Sequence, residues 1–78
     1  MVEASFYVMQ QQGRWGYGDA EDGRGFRASD ANTFEGALWF TEIAAIKAQG
    51  TGAHWTIYVP DTSGRYKVHS TMDDQFKS

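Results

Sequence analysis

The stretch "GRWGYGDAEDGRGF", residues 13–26, decides how this chain is read. Five of its fourteen positions are glycine, and between them stand Trp15, Tyr17, Phe26, Arg14, Arg24 and the acids Asp19, Glu21 and Asp22. Four readings compete: a phosphate-cradling loop, a calcium loop, an RNA-binding segment, or the connection of a hairpin. Gly23, Gly25 and Ala28 match G-x-G-x-x-A. A dinucleotide fingerprint must open directly into a helix, whereas Phe26 to Ala28 read as strand, and no G-K-[ST] follows for a P-loop. Counting a calcium loop from Asp19, the sixth and twelfth positions should be glycine and glutamate. They hold Arg24 and Asp30.

The remaining chain bounds the answer. Seventy-eight residues make one domain with a thin core, spanning 1–78. There is no cysteine, so neither a disulfide framework nor a thiolate zinc site supplements that core. No apolar run approaches the ~20 residues of a membrane span. The start "MVEASFYV" lacks the basic region of a signal peptide. These features lead to the expectation of a cytoplasmic protein with no membrane partner. A net charge of −3 argues against a partner gripped mainly through phosphates. Aromatic residues make up 15% of the chain, more than so small an interior needs, which puts some rings at a recognition surface.

Residues 2–9 alternate with period two, Val2, Ala4, Phe6 and Val8 facing the core. Residues 25–28 read as a short second strand with Phe26 and Ala28 inward and Arg27 outward. Asn32 is the expected N-cap of a helix over 33–49, with Glu35 closing a capping box and Gly50 as the stop. At 100° per residue, Phe34, Ala37, Leu38, Thr41, Ala44, Ala45 and Ala48 form the face expected on the sheet. Glu35, Glu42 and Gln49 form a polar stripe, and beyond it lies a second apolar group, Trp39, Ile43 and Ile46. The competing reading rotates the helix and makes that second group the core.

"HWTIYV", 54–59, and "RYKVHS", 65–70, flank the turn "DTSG" as a hairpin. Pairing Val59 with Tyr66 and Ile57 with Val68 puts Trp55, Ile57, Val59, Tyr66 and Val68 in the core. The expected architecture is a two-layer α+β sandwich, an antiparallel four-stranded ββαββ sheet with one helix on one face. Residues 12–24 are expected as a mobile connection and 71–78 as a frayed tail.

Two surfaces follow for binding. Arg14, Trp15, Tyr17 and Arg24 in the connection, with Trp39, Ile43 and Ile46 on the helix, form the expected protein contact; the competing reading folds Trp15 back to cap the edge of the small core. The helix patch would be covered by a target protein or by a second copy through antiparallel helices. The alternative is single-stranded nucleic acid on the outward sheet face, using Tyr7, Arg27, Tyr58, Arg65, Lys67 and His69. "RGF", 24–26, begins like an RNP1 segment, but Arg27, Ala28 and Ser29 then depart from it. His54 and His69 lack a third ligand for zinc, and no serine or threonine has an identifiable histidine–carboxylate pair. No catalytic residue, metal or cofactor is therefore expected.

The strand, the long connection, "GFRASDANTFEGALWF" running through a cap into one helix, and the hairpin "HWTIYVPDTSGRYKVH" resemble the very small phage-encoded anti-CRISPR proteins. The resemblance covers nearly the whole chain and lies in size and element order. It implies a non-catalytic inhibitor that binds a CRISPR effector complex and blocks its nucleic-acid site or its assembly. No diagnostic motif accompanies it, so no residue role is carried over.

Overall fold

The computed structural model describes residues 3–72. Within them, β1 (Glu3–Gln11), β2 (Arg14–Gly18) and β3 (Arg27–Ala28) precede α1 (Phe34–Gly50), which β4 (His54–Pro60) and β5 (Tyr66–Thr71) follow. The chain is α+β with one helix, and its sheet is five-stranded and mixed, in the order β3-β2-β1-β4-β5. This corrects the expected four antiparallel strands. β1 and β4 run parallel side by side, Phe6 opposite Ile57, because α1 carries the chain back over the sheet between them.

The second correction falls on the opening stretch. Residues 14–18, expected within a mobile connection, form a strand antiparallel to β1, with Val8 opposite Tyr17 and Gln10 opposite Trp15. Gln12 and Gly13 close that hairpin in two residues, both with positive φ (+52° and +79°), the twist a tight hairpin requires. The aromatic–glycine alternation of "RWGYG" is a period-two strand: Trp15 and Tyr17 face α1, while Gly16 and Gly18 lie on the other side. Gly16 is glycine by necessity. A Cβ there would meet the backbone of Arg27 and Ala28, which cross it in β3. The true connection is 19–26, and it is internally bonded through Asp19 N–H to Arg24 C=O at 2.7 Å and Phe26 N–H to Gly23 C=O at 3.1 Å.

β3 is shorter than the strand expected at 25–28, and its faces are reversed. Arg27 pairs with Tyr17 and shares its side, its guanidinium 5.4 Å from the ring centroid, and Ala28 pairs with Gly16. From there the chain stays bonded to β2. Ser29 N–H donates to Trp15 C=O at 2.9 Å, and Asn32 receives the Trp15 N–H at 2.8 Å while donating to Gly13 C=O at 2.9 Å. Asn32 is thereby spent on tying the hairpin to the helix start.

Thr33, not Asn32, is the N-cap. It is extended at φ −138°, and its Oγ1 accepts from Gly36 N–H at 3.0 Å. The helix runs through Gly50 rather than stopping before it, and Thr51 caps its end. Replacing Thr33 by alanine should cost about 1 kcal/mol in urea unfolding. An unchanged midpoint would return the cap to Asn32.

α1 packs across β2, β1 and β4. Its buried residues, Ala37, Thr41 and Ala45, are small, which brings the helix axis close to the sheet. The Thr41 hydroxyl donates back to Ala37 C=O at 2.6 Å, so this buried polar group is satisfied. Phe6, Val8, Tyr17, Trp55, Ile57 and Val59 complete the core from the sheet, with Trp15 half-buried against Phe34.

The β4–β5 register differs from expectation by one residue. Asp61 N–H donates to Arg65 C=O at 2.7 Å, leaving a three-residue loop, 62–64, with Gly64 at φ +84°. Tyr58 therefore faces Val68, Val59 faces Lys67 and Pro60 faces Tyr66, until a bulge at His69 sets Ile57 opposite Ser70. A slip of one residue turns every side chain to the other face. Tyr66 and Val68, expected in the core, lie on the outward side with Tyr58, and Val68 is 53% exposed. Thr71, expected in the frayed tail, pairs with Thr56 in β5, and residues 73–78 lie outside the described residues.

Candidate protein interface

The helix presents two apolar faces because the sheet can cover only one. With Ala37, Thr41 and Ala45 turned to the sheet, positions 39, 43 and 46 project away from it. Trp39 is 68% and Ile46 62% exposed, and Ile43 between them is half-buried. The patch is flanked by exposed Glu35 and Glu42 on one side and exposed Lys47 on the other. Two neighbouring large apolar side chains so exposed are costly in water unless something covers them.

The connection residues expected beside this patch are not gathered with it. Trp15 is half-buried against Phe34, and Tyr17 is buried between Phe6 and Phe40, with ring centroids at 5.4 and 5.3 Å. Neither ring is a mobile anchor. They belong to the core because β2 is a strand. Arg14 is exposed at the hairpin and reaches Ser29 C=O at 3.3 Å. Arg24 is exposed in the 19–26 loop, 3.7 Å from Asp22.

The residues expected to read nucleic acid are also dispersed. Tyr7 and Tyr58 share the outward face, joined there by Tyr66 rather than by bases. Lys67 falls on the side of Val59 and Arg27 on the side of Tyr17, where it pairs with Asp19 at 3.4 Å. The proximity of Tyr17, and then of Asp19, raises the guanidinium pKa. Arg65 stands in the turn, and His69 is the bulged residue.

The tyrosines themselves are occupied. Tyr7 and Tyr58 stack at 4.6 Å with 8° between planes, and Tyr66 meets Tyr7 edge-on at 5.2 Å. Rings that cover each other in this way offer few free faces to a base. Burial pushes the Tyr7 and Tyr66 phenols above their ordinary range, and the nearby Glu21 carboxylate pushes both further in the same direction. The charge beside this cluster is thus negative, the opposite of what a phosphate strand seeks. Tyr66 and Glu21 were missed as members of this face. Tyr66 depended on a loop one residue longer than read, and no sequence signal brought Glu21 near these tyrosines.

A shallow depression of about 280 Å³ opens among Glu3, Ser5, His54, Thr56, Thr71 and Met72. Among the described residues, no three histidine, aspartate or glutamate side chains converge as a metal site, and no helix is long and apolar enough to cross a membrane. No family model, no curated protein and no solved structure matches the chain.

Proposed function

We propose that this chain is a small non-catalytic protein-binding module that meets its partner through the outward face of α1. The observation that carries the reading is the exposure of Trp39 and Ile46 beside Ile43, on a helix whose other face already fills the core. Fully burying side chains of this kind recovers roughly 1.5–3 kcal/mol each, enough for a few such residues to dominate a contact. The target class comes from the resemblance in size and in a single helix followed by a hairpin. It is a nucleic-acid-processing effector complex of the CRISPR type, with the module acting as a phage-type inhibitor of its nucleic-acid site or assembly.

Ile43→Glu tests this reading. The variant should keep the wild-type circular dichroism spectrum, because residue 43 points away from the sheet, and should inhibit target cleavage by a purified CRISPR effector at least tenfold less well. Full inhibition by the variant would remove the helix face from the contact. Unimpeded cleavage with the wild type, tried across effector types, would remove the target class.

A further inference from the structure

We infer that the outward face of α1 is a self-association surface on which a second copy of this chain lies parallel, helix against helix. The inference rests on the reading of that face as a protein contact and adds that, in the absence of the target, a second copy covers it. At the start of the helix, Gly36 is covered by the chain's own Ala31, whose Cβ would lie 2.6 Å from a Cβ at residue 36. The open stripe therefore begins at Trp39 and continues through Ile43 and Ile46 to Gly50, with successive steps of four, three and four residues. That is the a/d rhythm of a two-stranded coiled coil, with Trp39 and Ile46 at d and Ile43 and Gly50 at a.

The charges choose the orientation. Glu35 and Glu42 then fall at g, and Lys47 falls at e. In an antiparallel pair each flank meets its own copy, so the glutamate flank would face itself. In a parallel pair g meets e, and Glu42 of one copy stands by Lys47 of the other, twice by symmetry. Gly50, with nothing within 4 Å of a Cβ added there, leaves the end of the stripe open for close approach of the two helices. The expected antiparallel arrangement of a dimer is thus the one that the flanking charges oppose. So short a seam makes an interface at the small end of the specific range, and the dimer should form at micromolar rather than nanomolar concentration.

The experiment uses sedimentation velocity and thiol cross-linking. The chain has no cysteine, so Gly50→Cys carries the one thiol. In the parallel dimer, residues 50 of the two copies face each other, and mild oxidation should give a disulfide-linked dimer at concentrations where wild type sediments as one. Glu42→Lys should weaken association about tenfold, because it sets a new ammonium group against Lys47 of the other copy, and adding Lys47→Glu should restore it. A wild type that stays monomeric up to about 1 mM overturns the inference, and the cleavage assay with Ile43→Glu still judges the face as a protein contact independently. A dimer that neither cross-links through Gly50→Cys nor recovers in the charge-swapped double variant overturns it as well.

Discussion

Replacing Ile57 by alanine should cost about 2–5 kcal/mol, as truncation of a fully buried aliphatic side chain does when its surroundings cannot collapse. Ile57 has no exposed surface, sits opposite Phe6 in the parallel pair, and is the largest fully buried side chain of the core. A domain of 78 residues carries a total stability of roughly 4–12 kcal/mol, so this one change removes a large share. Urea unfolding followed by tryptophan fluorescence measures it. Val68→Ala is the companion variant. With its side chain half exposed on the outward face, it should change stability by less than about 1 kcal/mol. Equal losses for the two variants would show that the β4–β5 register is the one with Val68 in the core.

Gly16→Ala should cost about 2–4 kcal/mol, although it adds a single methyl group. The added Cβ would lie 2.8 Å from the Ala28 Cα and closer still to the Arg27 backbone oxygen, and neither atom belongs to a flexible side chain that could swing aside. The β2–β3 pairing must open, and the bond from Ser29 N–H to Trp15 C=O goes with it. The same substitution at Gly50, a helical position with nothing within 4 Å, should instead stabilise by up to about 1 kcal/mol through helix propensity. Denaturation midpoints moving in opposite directions are the expected result. A neutral Gly16→Ala would mean that residues 27–29 do not lie over β2. Amide exchange gives a second readout: the β2 amides should be protected in wild type and lose that protection in Gly16→Ala.

Much of this arrangement was legible in the residues alone. The period-two run of Ala4, Phe6 and Val8 faces the core as its spacing indicates, and so do Trp55, Ile57 and Val59. The helix buries its alanine-rich face and leaves Trp39 and Ile46 outside. Such periodic patterns are read correctly because burial of one face is a local property of the element. β2 was lost to its own glycines. Gly16 and Gly18 looked like flexibility, but they are the outward positions of a strand whose aromatics, Trp15 and Tyr17, fill the core.

The sequence by itself determined the α+β class, the single helix with its two apolar faces, and the inward sets of β1 and β4, because each rests on periodicity within one element. Only the tertiary structure decided strand order, register and partnership. Whether Asn32 caps a helix or bridges Trp15 and Gly13 depends on which backbone groups are left unpaired once the chain has folded back on itself. Whether Tyr66 lies in the core or on the tyrosine cluster depends on one residue of loop length, set by the Asp61–Arg65 hydrogen bond. Both choices compare free energies that differ little locally, and long-range contacts supply the difference.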